Sequence, residues 1–204
     1  MLFYILTILA GTVAIILGNT FAVPFEWHNL LWNSINTVTG VVAIIALDGL
    51  FAFLIRRALP KSWFMYGKRV FEVKKGERDF YNKIKIKSWK DKVPELGGFT
   101  GFHKNELKST SDKSYLERFI VEINYGVVGH IENALMGFLI FLIPMLPIKG
   151  SYIFTKPSIW IPVFAVNFVL SVLPIFILRY TSYTLIKLYN KQLKKEKEKQ
   201  EISA

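Results

Sequence analysis

Four stretches of this chain are long enough to cross a bilayer and hold almost no charge. Leu2–Val23 and Pro157–Leu178 contain no Asp, Glu, Lys or Arg, Val38–Ile55 contains only Asp48, and Val127–Ile148 only Glu132. About 20 apolar residues carry a helix through the hydrocarbon core. Backbone polar groups find no water there, so each stretch must bond within itself as a helix. The sequence therefore predicts an all-α integral membrane protein with four transmembrane helices, at about residues 2–23, 36–56, 122–147 and 157–179. All 204 residues are read as a single membrane domain. The first stretch has neither the basic start nor the cleavage site of a secretory signal, so it is read as a span.

Charge gathers between these stretches. Residues 56–118 hold 17 Lys/Arg against 8 Asp/Glu, and residues 179–204 hold 7 against 3. Basic residues accumulate on the cytoplasmic side of short connections. The connection over 57–118 and the basic tail over 180–204 are thus expected in the cytoplasm, with both termini, while Gly18–Asn36 and Lys149–Lys156 face outward. A net charge of +11 and a pI of 9.7 would suggest nucleic acid in a soluble chain. Here the cations lie where the membrane wants them, so the expected partners are anionic lipid head groups and not nucleic acid. There is no cysteine, which excludes disulfides and thiolate chemistry.

The connection between the second and third spans interleaves aromatic with basic residues, including Trp63, Phe71, Phe80 and Trp89. That mixture suits the head-group layer, with rings toward the acyl chains and cations toward phosphate. Phe80–Lys92 is expected to hold a short amphipathic helix. Residues 94–98, Pro-Glu-Leu-Gly-Gly, then break regular structure. The tail Leu185–Glu201 reads as a helix leaving the membrane.

Ionisable groups within the spans are the chemical signal, because they are costly in hydrocarbon and face a bundle interior or a wet cavity. They are Asp48, Glu122, His130 and Glu132. Asp48 lies eight residues before Arg56, about 12 Å along a helix. His130 falls in the same half of the bilayer, where the two could meet. On a helix, Glu122, Gly126, Gly129, His130, Asn133 and Gly137 share a sector of about 100°, while Glu132 points about 160° away from His130. Such a face is either a close-packed seam or the wall of a site. Asn167 is read as a helix–helix contact, and His28 and His103 as surface residues. No phosphate-cradling loop, HExxH motif or Ser–His pair occurs, and no metal site is expected.

Three segments carry a resemblance. Phe80–Leu107 (FYNKIKIKSWKDKVPELGGFTGFHKNEL), Glu117–His130 (ERFIVEINYGVVGH) and Pro174–Leu185 (PIFILRYTSYTL) resemble the bacterial glycosyl-diaponeurosporenoate acyltransferase family of carotenoid biosynthesis. Tyr125 and Val127 stand where that family commonly has Arg and Glu. Leu178-Arg179-Tyr180-Thr181-Ser182 stands for its Gln-Arg-Tyr-Asn-Arg run. The resemblance implies a bacterial cell-membrane acyltransferase that moves a fatty acyl group onto a hydroxyl of a membrane glycolipid. No bound cofactor is implied, and an acyl thioester such as acyl-CoA would be co-substrate. His130 would be the base, Glu122 or Asp48 its orienting acid, and Asn133 an oxyanion or substrate donor. Trp89, Lys90, Lys92, Glu132 and Arg179 would contact substrate, with Asp91 paired to a neighbouring cation. The alternative is a non-catalytic lipid-binding protein or a protein assembly partner that keeps the family fold.

Overall fold

The structure is a computed structural model that describes residues 2–93, 107–139 and 156–203. The expected turn at 94–98, Phe99, Phe102, His103, the far end of the third span (140–147) and the outward connection at 149–155 lie outside the described residues. Six α-helices are described: α1 (Leu2–Phe21), α2 (Trp27–Ala58), α3 (Lys75–Lys83), α4 (Ile86–Trp89), α5 (Lys113–Met136) and α6 (Pro157–Ser203). No strand occurs among the described residues. Among the described residues, three helices are long and apolar enough to cross a membrane: Tyr4–Phe21, Trp27–Ala58 and Pro157–Ile202. The third expected span begins in α5, only part of which is described.

Several elements differ in extent from the expectation. The first outward connection shrinks from residues 18–36 to the few between Phe21 and Trp27. Its polar residues are helical because their side chains find partners. Asn33 donates to Thr20 Oγ1 at 3.2 Å and accepts from Lys156 Nζ at 3.0 Å, and Asn36 donates to its own Trp32 carbonyl. α6 runs unbroken for 47 residues, about 70 Å. That is over twice the hydrocarbon thickness, so the span and the expected tail helix are one rod. The amphipathic helix of the connection starts earlier than expected, at Lys75, and stops where Lys85 takes a left-handed backbone (φ 51°, ψ 44°) before α4. α5 begins at Lys113 because Asp112 caps it, its carboxylate accepting the Tyr115 N–H at 3.0 Å.

The chain divides into two compact units, Met1–Phe53 with Gly129–Val172, and Leu54–Val128 with Leu173–Ala204. In the first, Ile44, Ile159, Trp160 and Val163 form the core, with Ile15, Val41 and Phe164 against it. Gly40 lets α2 approach the Trp160 ring, since a Cβ there would lie 3.4 Å from it. Asn19 bonds the Ser158 carbonyl at 3.1 Å and so joins α1 to α6.

The second unit packs the turns after α2 against α5 and α6. Phe64, 2% exposed, stacks on Tyr125 with ring centroids 3.8 Å apart. The Phe64 carbonyl accepts a bond of 2.8 Å from Asn124, itself buried. A second cluster centres on Leu116, Ile120, Ile123 and Leu185 of α5 and α6. Asn124→Ala would leave the Phe64 carbonyl without its donor. Burying an unsatisfied group of this kind costs about 1–3 kcal/mol. A fall of that size in unfolding free energy is expected, read from denaturant titration of the purified protein; an unchanged midpoint would show the bond to be dispensable.

Candidate active site and family membership

Within the first unit, half-buried polar groups of α1, α2 and α5 lie near one another, with Asn167 of α6 beside them. Asp48 on α2 and Glu132 on α5 lie close enough for their charges to repel, and Tyr4 on α1 lies within electrostatic reach of Asp48. The Asn133 carboxamide, turned so that its NH2 faces its acceptors, bonds Gly129 O at 3.1 Å and Glu132 Oε2 at 2.7 Å. Asn167 of α6 donates to the Asn133 carbonyl at 3.4 Å. Gly137 allows this approach, because a Cβ there would come within 3.1 Å of Asn167 and 3.2 Å of Phe164.

His130 is set apart from that cluster. Its Nδ1 is buried and has no hydrogen-bond partner, and no bond joins the ring to Asp48, Glu122 or Glu132 among the described residues. Helical phase accounts for the separation from Glu132, which is two residues along α5 and on its far side. One oxygen of Glu132 is likewise buried without a partner. A neutral imidazole whose ring makes no such bond is chemically competent to take a proton from a hydroxyl brought beside it.

The remaining expected site residues belong to the second unit. Glu122 pairs with Arg56 at 2.9 Å, and the Arg56 guanidinium also lies over the Tyr125 ring at 5.0 Å. All three side-chain nitrogens of Arg179 bond within the protein. Its Nε and one terminal nitrogen grip Glu77 at 2.7 and 2.6 Å, and its terminal nitrogens also reach the carbonyls of Val70 and Glu72 at 3.2 Å. Tyr81 donates to the same carboxylate. Burial pushes the Glu77 carboxyl up, but the bonds from Arg179 and Tyr81 and the Arg179 charge outweigh it and hold Glu77 below the usual carboxylate range.

Trp89 packs against the cluster of Tyr81, Ile86 and Ile177, and its indole N–H bonds the Ile84 carbonyl at 2.9 Å. Lys90 pairs with Asp91 at 2.8 Å, while Lys92 is exposed. Sequence reasoning did not single out Glu77, Tyr81, Arg56 or Tyr4. Only the i,i+4 spacing of Glu77 and Tyr81 on one helix signalled any of this beforehand.

The family model for glycosyl-4,4'-diaponeurosporenoate acyltransferase matches residues 60–191, well over half of the chain. The chain belongs to that acyltransferase family. No curated protein and no solved structure matches it. The region shared with the acyltransferase family includes His130, Glu132, Asn133, the Trp89–Lys92 segment and the whole Glu77–Tyr81–Arg179 network. Tyr4 and Asp48 precede it.

Proposed function

We propose that this membrane protein transfers a fatty acyl group from a thioester to a hydroxyl of a membrane glycolipid, a glycosyl carotenoid-like acceptor. The observation that carries this reading is the unpartnered imidazole of His130 inside the family-matched region. In the reaction the acceptor oxygen forms a bond to the acyl carbon and the carbon–sulfur bond breaks. His130 takes the hydroxyl proton and returns it to the departing thiolate. Asn133 has both N–H groups engaged, so its part is to fix Glu132. Glu122 and Arg179 act as positioning residues of the scaffold. Lys90 and Lys92 offer cations to donor phosphates, and Trp89 anchors the segment at the head-group level.

The orientation that fits this chemistry has four spans and both termini in the cytoplasm, where acyl thioesters are made. The basic balance of residues 56–118 supports it. Membranes containing the protein, given acyl-CoA and a glycosylated carotenoid acid, are expected to yield the acyl ester by mass spectrometry. Absence of product, with the chain stably inserted and recovered in a protein complex, would instead support the assembly-partner role.

A further inference from the structure

A half-open groove runs along the first unit between α1, α2 and α6. Its shaft is hydrocarbon: Ile8 and Ile15 on α1, Val41 and Ile44 on α2, Val163 and Val166 on α6. From Tyr4 to Ile15 it follows α1 for about 16 Å. The walls are half-buried, with Ile45 on the rim 50% exposed, so a chain can enter sideways from the bilayer.

Polarity is confined to a few wall residues and is free at only one end. Thr12 donates to its own Ile8 carbonyl and Asn167 to Asn133. Asp48 and Tyr4 form no hydrogen bond with any described residue, although both line the groove. Glu132, outside the lining, lies within electrostatic reach of Asp48. The only described Lys or Arg of this unit, Lys156, is bonded to Asn33. Among the described residues this end has a carboxyl group, a phenol and no cation, so it offers phosphate no counter-charge. It suits a neutral group rich in hydroxyls, which can donate to the carboxylate and accept from the tyrosine.

We infer that this groove seats the hydrocarbon chain of the glycolipid acceptor, with its sugar hydroxyls at Asp48 and Tyr4. The inference rests on the acyl-transfer reading for the identity of the ligand, but not for the existence of the site. The anionic donor finds no counter-charge at this end among the described residues. Gly11 supplies the chain's room at mid-shaft: a Cβ there would find its nearest neighbour, Val166, only at 3.9 Å, so a large side chain would project into the groove.

The test uses the full chain in nanodiscs and a glucosyl lipid carrying a diazirine in its hydrocarbon chain. Photolabel is expected on peptides of α1, α2 and α6 that line the shaft. Gly11→Phe should cut labelling at least ten-fold, and Ile45→Trp, which narrows the rim at an exposed position, should do the same if Gly11→Phe fails to fold. An alkyl glucoside should compete and an alkyl phosphate of equal length should not. Asp48→Leu should weaken glucoside competition about ten-fold and erase the discrimination against phosphate. Label elsewhere, labelling indifferent to both fillers, or equal competition by the phosphate would overturn the inference. Labelling of the shaft without any acyl transfer would leave the site standing and overturn the proposed reaction.

Discussion

His130→Leu is expected to abolish acyl transfer and, at the same time, to make the protein more stable. The two effects have one origin. Nδ1 of His130 is buried without a hydrogen-bond partner, and an unsatisfied polar atom of that kind costs about 1–3 kcal/mol. A leucine of similar reach removes the orphan and breaks no bond, so unfolding free energy should rise by up to about that amount. Loss of a general base lowers turnover by about 10²–10⁴-fold. His130→Gln should show the same fall in kcat with a nearly unchanged KM for both substrates, since glutamine cannot carry the proton. A residue serving only as packing would behave in the opposite way, with activity and stability falling together. Side-by-side kcat and thermal midpoints for the two variants decide between these, and a His130→Leu protein of normal activity would remove the imidazole from the chemistry.

That His130 and Asp48 would be notable was legible in the sequence, because an ionisable group in an apolar run has few cheap explanations. Their partners were not. Periodicity along α5 does put His130, Asn133 and Gly137 on one face, and Gly137 does meet Phe164 and Asn167. Periodicity on one helix says nothing of which helix lies opposite, so the approach of Asp48 to Glu132, and not to His130, could not be foreseen. The extent of α2 shows the same limit at its start. Asn33 and Thr20 read as loop until each supplies the other's hydrogen bond. α6 was easier, since an apolar run followed by Lys/Glu pairs is helical by either criterion, and Pro174 falls inside it without ending it.

Arg179 shows how a sequence motif can be noticed for one role and built for another. A basic residue at the end of a span suggests a hand for an anionic substrate, yet every donor nitrogen faces the protein. Its two ends are 102 residues apart along the chain, from Glu77 in the connection to the middle of α6. What the clamp fixes is the segment from Val70 to Tyr81, in which both flanking carbonyls and one carboxylate converge on a single guanidinium. The family-matched region contains all of it. The clamp thus gives this basic, aromatic segment a fixed seat on α6.

Arg179→Ala is accordingly expected to cost about 3 kcal/mol of unfolding free energy, near the low end for removing one partner of a buried pair because the side chains of Arg179 and Glu77 keep 14% and 24% of their exposure. Arg179→Lys should restore less than half of this, since an ammonium cannot hold both carboxylate oxygens and two carbonyls at once. The pH dependence supplies an independent check, and its sign can be worked out. In the wild type Glu77 is held below the range of an unfolded glutamate, whose pKa is about 4.3. The clamp's contribution is therefore complete above that value and is lost as pH falls through the lower, folded value. Without Arg179, burial, the largest single influence on Glu77, is opposed only by the hydrogen bonds from Tyr81 and the Lys74 backbone, and the carboxyl should rise above its unfolded pKa. Protonation then favours the folded state. Between about pH 7 and pH 4, Arg179→Ala should gain stability on acidification where the wild type does not, and Glu77→Gln placed on the Arg179→Ala background should flatten the difference. Parallel pH profiles for wild type and Arg179→Ala, measured by thermal unfolding in one detergent, would show that Glu77 and Arg179 do not support one another.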